Sequence, residues 1–324
     1  MSEPSVTVFL TVKNSKDTIE KCLDSLLNLD YQNYKIYVTD AFSTDGTFEI
    51  LKKYKEKNKS KIILEQIEGN MAKAYNHMTE KVDTEFIAYT DADCVVERNW
   101  LKELISGFTS KDIVAVAGFC GTPKNVTSFQ KVIGKELENR FRKFPKFISR
   151  APTMNLAVRT EIAKKVKYDE RLDVTQETDW GYRLSKLGKI LYNPKAIVYH
   201  YHRSTPKSFF KQQKKYGKFA VLMYTKHKDK ILGDHISTTR MGMQIPLFFL
   251  FLLFGLLSLV NFIFFYVSLA FLLLIVFIYL LDLAELKPSI REIPLYLLMF
   301  CIRTVAWSVG IIQGIFLYLR TRFR

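Results

Sequence analysis

Two aspartates two residues apart, Asp91 and Asp93, directly follow a short apolar run, Phe86–Tyr89. The run reads as a buried strand, which puts both carboxylates at its C-terminal end, the edge where open α/β sheets bind ligands. Two acids there suit a hard divalent cation, because Mg²⁺ and Mn²⁺ take oxygen ligands and are commonly held by carboxylates together with phosphate oxygens. An isolated Asp-x-Asp is also an ordinary solvated turn, so the weight falls on what surrounds it. A second acid, Asp40, closes the strand Lys35–Asp40 in the same way.

The elements that must hold these acids alternate from the start of the chain. Val6–Val12 is a strand, and Thr18–Leu29 has helical periodicity through Ile19, Cys22, Leu23, Leu26 and Leu27. A helix over Thr47–Tyr54, a strand over Lys61–Gln66, a helix over Met71–Lys81 and the strand Glu85–Asp91 follow. Such βαβα alternation predicts a doubly wound, mostly parallel sheet. Past Asp93 the pattern loosens into a helix near Trp100–Phe108, a strand near Ile113–Gly118 and an expected helix-rich remainder.

The composition divides the chain. Ile245–Leu281 carries no charge and is too long for one span, so it predicts a hairpin of two helices turning near Asn261. Ile293–Leu319 carries only Arg303 and predicts a third segment. Three spans would leave Arg320, Arg322 and Arg324 opposite a cytoplasmic domain, against the positive-inside tendency, so the third is also read as re-entrant or interfacial. The net charge is +16, and between Lys195 and Arg240 there are 11 Lys or Arg against Asp229 and Asp234. A basic patch can mark a nucleic-acid site. This one adjoins an apolar hairpin and interleaves Phe209, Phe210, Tyr216 and Phe219 with lysines, which points to an in-plane amphipathic helix on anionic lipid and not to nucleic acid. Cys22, Cys94, Cys120 and Cys301 show no paired spacing, which fits a reducing compartment and argues against a zinc site. With no signal-peptide pattern ahead of Val6–Val12, the expectation is a multi-pass protein of the cell membrane with its large domain on the cytoplasmic face.

The blocks Val8–Asn14, Tyr37–Thr47, Gly69–Asn76, Phe86–Val96, Thr175–Leu184 and Asn193–His202 occur in the order found in family 2 glycosyltransferases, and the chain resembles that family over about 5–218. The resemblance implies a GT-A fold over 1–205, an amphipathic interface segment over 206–240 and a transmembrane region over 241–324. It implies nucleotide-sugar contacts from Thr11, Lys13, Asn14, Asp40, Lys73, Asn76 and Asp91, with Asp40 on the base and Lys73 offsetting diphosphate charge. A Mg²⁺ or Mn²⁺ ion would rest on Asp93 and Asp91, with His200 as a further ligand. Glu177, with Asp179 as the second candidate, matches the general base, although acids in a first helical turn also simply suit the helix dipole. Gln212, Lys215 and Tyr216 are similar to the Gln-x-x-Arg-Trp signature of membrane-integrated synthases, with Lys replacing Arg and Tyr replacing Trp. They and Arg303 are the candidate contacts to a polyprenyl-linked acceptor.

A carboxylate at the base position favours a hydroxyl acceptor, since a lipid phosphate is already an anion and has no proton to give. The expected reaction is therefore inverting transfer from a GDP- or UDP-sugar, with GDP-mannose one candidate, to a hydroxyl of a lipid-linked saccharide. Transfer to a polyprenyl phosphate, as in dolichyl-phosphate mannose synthase, short processive synthesis and an inactive membrane scaffold are the alternatives.

Overall fold

A computed structural model describes residues 3–322, and Arg324, one of the three terminal arginines, lies outside them. The chain divides into two compact units, Met1–Lys124 with Phe141–His202, and Asn125–Arg140 with Arg203–Arg324.

The first unit opens with β1 (Val6–Val12), α1 (Ile19–Leu27), β2 (Tyr34–Asp40), α2 (Thr47–Lys57), β3 (Ile62–Gln66), α3 (Met71–Lys81) and β4 (Phe86–Asp91). Strands β1, β2 and β4 are buried almost throughout, as the apolar runs require of a sheet covered on both faces. All pairs among β1–β4 are parallel, in the order β3-β2-β1-β4. The order reverses beside β1, which makes the C-terminal ends of β1 and β4 a topological switch point.

The unit continues through β5 (Cys94–Val96), α4 (Trp100–Ser106) and β6 (Ile113–Gly121). After α5 (Ser128–Phe141) come β7 (Phe147–Ile148), β8 (Leu156–Arg159), α6 (Thr160–Lys165), α7 (Gln176–Leu184) and β9 (Lys189–His200). This stretch is richer in strands than its sequence pattern suggests. β8 inserts antiparallel between β4 and β6, β9 runs parallel to β6, and β5 pairs antiparallel with the end of β9, so the sheet is mixed. At Gly118 a β-carbon would lie 2.1 Å from the Ala196 carbonyl oxygen and 2.4 Å from Asn155 Nδ2. The missing side chain admits Asn155, whose Nδ2 donates to the Phe119 and Ala196 carbonyls, both at 2.8 Å, while its Oδ1 accepts from Trp100 Nε1 at 2.8 Å. Those bonds pin a single 3₁₀ turn, Thr153–Asn155.

The second unit consists of α5, α8 (Pro206–Lys226), α9 (Thr239–Leu257), α10 (Ile263–Leu286) and α11 (Ile293–Arg322). α5 thus lies on the other side of the division from an expected first domain over 1–205. The reason is its apolar face: Phe129, Val132 and Ile133 are buried with Phe209, Ile275, Tyr279, Tyr296 and Phe300. α8 starts at a capping box between Thr205 and Ser208 with Pro206 in the first turn. The long apolar run breaks at Asn261, whose Oδ1 accepts from Ile263 N–H at 3.0 Å. α9, α10 and α11 are each long and apolar enough to cross a membrane.

α8 and α11 approach at backbone distance. A β-carbon on Gly310 would lie 2.2 Å from the Lys214 carbonyl oxygen, and one on Gly217 would lie 2.6 Å from that of Trp307. Glycines let helices meet this way where dispersion, not water exclusion, drives association. A Gly310→Ala variant should therefore lose about 1–3 kcal/mol of stability, the usual cost of overpacking. Thermal unfolding in detergent reads this, and a wild-type midpoint would contradict so close an approach.

Candidate active site

Register builds the site. β1 and β4 pair Thr11 with Asp91, and β1 and β2 pair Val12 with Asp40, so three strand ends bring Thr11, Asp40 and Asp91 to one edge. Asp40 is buried, and its Oδ2 accepts from Ser43 N–H at 3.0 Å and from Gln66 Nε2 at 2.9 Å. Its other oxygen is buried without a hydrogen-bond partner. Lys13 is exposed beside it. Asn14 acts as a latch: its N–H donates to Ser43 Oγ and its Oδ1 accepts from Thr44 N–H, both at 2.9 Å. It ties the loop after β1 to the loop after β2, a task of backbone positioning that differs from the expected donor contact.

Phe42 has no counterpart among the residues expected from sequence. It stands two residues after Asp40, is 54% exposed and has φ +53°, a left-handed conformation that costs a bulky residue free energy. An exposed aromatic face near a buried carboxylate can stack on a planar group. The readable signal was an aromatic at a turn where glycine or asparagine would be at ease.

The pairing of Cys94 with His200 brings β9 against the residues that follow β4. His200 Nε2 lies 3.2 Å from Asp93 Oδ1. Ligand atoms of Asp93, Cys94 and His200 fall within 4.8 Å of one another. Burial and the charges of Asp93 and Asp91 push the Cys94 thiol well up. Burial alone would lower the His200 pKa, yet the Asp93 carboxylate and Cys120 hold it well above 6.5. The carboxylate oxygens of Asp93 suit Mn²⁺ or Mg²⁺, and His200 must give up its proton before it can ligate a metal. Cys120, His200 and His202 form a second close group on the far side of His200.

Glu177 lies in the first turn of α7, preceded by Thr175 at φ +67°. Its Oε2 accepts from the Thr153 N–H and from Thr153 Oγ1, each at 3.0 Å. The pinned 3₁₀ turn therefore fixes this carboxylate's position. Burial raises the Tyr75 phenol pKa well above 10, the charge of Asp91 and to a lesser degree that of Glu177 add to the rise, and the Thr11 and Thr153 side chains oppose it.

Three of the expected site residues have structural tasks. Asp179 is 1% exposed and ion-paired with Arg183 at 2.8 Å, one turn along α7, so its carboxylate already has a cationic partner. Asn76 is buried: its Nδ2 donates to the Tyr168 carbonyl at 3.0 Å and to Glu170 Oε1 at 2.8 Å, and its Oδ1 accepts from Tyr168 N–H at 2.8 Å. It ties α3 to the loop before α7, and both of its amide N–H groups are used. Asn14 is the third. Lys73 does face solvent at the start of α3, beyond the Asn70 cap. An Asn76→Ala protein should lose about 1–3 kcal/mol for each buried group left unpaired, with nucleotide affinity unchanged. Denaturant unfolding alongside calorimetric nucleotide binding tests this, and lost affinity at wild-type stability would restore Asn76 to the site.

The candidate acceptor residues all belong to the second unit. Gln212, Lys215 and Tyr216 lie on α8, where it is the neighbouring Gln213 that accepts from Trp307 Nε1 at 2.9 Å. Arg303 is buried on α11, and its Nη1 donates to Glu136 Oε1 at 2.9 Å.

Residues 7–168, half of the chain, match the model of glycosyl transferase family 2. A Methanococcus voltae protein named dolichyl N-acetyl-alpha-D-glucosaminyl phosphate 3-beta-D-2,3-diacetamido-2,3-dideoxy-beta-D-glucuronosyltransferase is 26% identical over 348 residues, covering 95% of this chain and 98% of that protein. Glycosyltransferase AglE of Haloferax volcanii is 26% identical over 57% of this chain and 62% of its own. Poly-beta-1,6-N-acetyl-D-glucosamine synthase of Staphylococcus aureus is 24% identical over 76% of this chain and 60% of its own. Among solved structures, the Pyrobaculum calidifontis mannosyltransferase PcManGT in complex with GDP-Man and Mn²⁺ superimposes with a TM-score of 0.62 at 13% identity, over 97% of this chain and 89% of that one. GalNAc-T7 with UDP, GalNAc and Mn²⁺ gives 0.52 at 16% identity, over 68% and 50%. At these identities the likenesses establish a common fold.

Proposed function

We propose that this chain, which belongs to glycosyl transferase family 2 and has the GT-A fold, transfers one sugar from a nucleotide-sugar to a hydroxyl of a lipid-linked saccharide at a membrane surface. The observation that carries this reading is strand register, which gathers Thr11, Asp40 and Asp91 at one sheet edge with His200 3.2 Å from Asp93, while Glu177 is held by the Thr153 turn. The length-matched likeness to a protein whose name specifies a dolichyl-linked sugar supports the choice of acceptor.

The base of the donor would lie over Phe42 and give its N–H to Asp40. Asp93 and His200, with Asp91, would hold Mg²⁺ or Mn²⁺, and such an ion supplies Lewis-acid stabilisation to a departing diphosphate. Lys73 adds a point charge on the same side. The acceptor hydroxyl attacks the anomeric carbon opposite the leaving group: the new carbon–oxygen bond forms, the bond to the diphosphate breaks, and Glu177 takes the hydroxyl proton. Inversion follows from that single displacement. The apolar helices α9–α11 would anchor the protein in the cell membrane with the catalytic unit on the cytoplasmic face, and the lysines of α8 would lie on anionic headgroups.

The deciding experiment incubates the full-length protein in lipid nanodiscs with Mn²⁺, a panel of UDP- and GDP-sugars, and either polyprenyl-linked monosaccharide or bare polyprenyl phosphate. The expected product is the lipid-linked saccharide extended by one sugar. Transfer to the bare phosphate would replace this reading with polyprenyl-phosphate glycosylation, and a product ladder would replace it with processive synthesis.

A further inference from the structure

The helical unit contains a cavity of about 470 Å³ between α8, α9 and α11. Its walls are largely apolar, with Val221, Ile245, Trp307 and Ile311 among them, and among the described residues no carboxylate lines it. At its polar end stand two buried side chains, Arg303 at 5% exposed and Gln244 at 1%. Only one edge of Arg303 is engaged: Nη1 donates to Glu136, whereas Nε and Nη2 are buried without an acceptor. Gln244 is similar. Its Oε1 accepts from Thr304 Oγ1 at 3.1 Å, Thr304 is in turn 2.7 Å from the Tyr279 hydroxyl, and Nε2 is buried without a partner.

Every uncommitted group at this end is therefore a donor. Glu136 is shared between Arg303 at 2.9 Å and Arg140 at 2.7 Å, while Asp282 pairs with Arg240. Unpaired buried donors are costly in apolar surroundings, and ionisable groups at such positions are usually functional. The Nε–Nη2 edge of a guanidinium is a planar fork that matches two oxygens of one phosphate.

From this geometry we propose that the cavity binds the phosphate end and first apolar segment of a single-chain polyprenyl phosphate lipid, with Arg303 and Gln244 on the phosphate oxygens. The choice of lipid rests on the reading above, in which the acceptor is carried on such a chain. The volume lies within the range of sites for one drug-sized molecule, which accommodates the start of one chain and not two acyl chains side by side.

The test measures binding and needs no turnover. Full-length protein in phosphatidylcholine nanodiscs is photolabelled with a diazirine-bearing polyprenyl phosphate, and the labelled peptides and apparent affinity are determined. Label is expected on the segments around Gln244 and Trp307. Unlabelled polyprenyl phosphate should compete, while polyprenol and phosphatidylglycerol should not. Arg303→Lys keeps the charge beside Glu136 but loses the fork, and Gln244→Leu leaves the ion pair untouched. Each should weaken binding by about tenfold, the worth of one charge-assisted hydrogen bond. Equal competition by phosphatidylglycerol would mark a general anionic-lipid site, and wild-type affinity in both variants or label confined to other helices would overturn the assignment. Binding without any sugar transfer would leave this site standing and sink the glycosyl-transfer reading, whereas transfer without binding here would do the reverse.

Discussion

An Asp93→Asn enzyme should lose sugar transfer by about 10²- to 10³-fold, the usual effect of removing one preorganised electrostatic contact to a developing charge. Asparagine keeps the size of the side chain and an oxygen that can still accept from His200, now 3.2 Å from the carboxylate. The loss then reports charge at the metal position and not collapse of the β5–β9 pairing, and an unchanged thermal midpoint checks that. The wild-type protein treated with EDTA should fall to the same level and recover with Mn²⁺ or Mg²⁺. The variant should show little further response to chelation, because its main oxygen ligand is already weakened. Nucleoside diphosphate binding should lose its metal dependence in parallel. Full activity of Asp93→Asn, or of chelated wild type, would remove the cation from the mechanism and leave Lys73 as the only charge proposed for the diphosphate.

The second large effect is expected at Glu177. Replacing it by glutamine keeps a carbonyl oxygen to accept from the Thr153 N–H and hydroxyl, the two bonds that hold Oε2 at 3.0 Å. Fold and side-chain placement should therefore survive, while the capacity to accept a proton is lost. General base catalysis contributes about 10²- to 10⁴-fold, so kcat with a hydroxyl acceptor should fall by that amount. Donor affinity should barely change, because donor contacts are assigned to Asp40, Phe42 and the Asp93–His200 pair. With a bare lipid phosphate as acceptor there is no proton to remove, and the same variant should be nearly unimpaired. Rapid-quench rates with both acceptors, beside calorimetric donor binding, separate the cases. A Glu177→Gln protein at wild-type rate on the hydroxyl acceptor would defeat the assignment to Glu177, and Asp179, paired to Arg183, would be the next carboxylate to replace.

Local patterning encodes the parallel half of the sheet, the acids at its strand ends and the apolar helices. β1–β4 and the helices between them follow from local periodicity, because each short strand–helix–strand unit must bury its own apolar face and has few ways to do so. α9–α11 follow from hydropathy alone. The remainder depends on partners far apart in the chain that no local pattern names. The insertion of β8 between β4 and β6 and the Cys94–His200 pairing bring a histidine to Asp93 across more than a hundred residues. Asn76 looks like a donor contact in sequence and proves to be a buried tie to Tyr168, 92 residues away. Asp179 and Glu177 lie two positions apart in one helical turn, yet the side that each presents gives one an arginine and the other the Thr153 turn. The apolar face of α5 takes Glu136 to Arg303, 167 residues on. Periodicity encodes which face of an element is buried, and the packing of distant elements decides what it is buried against.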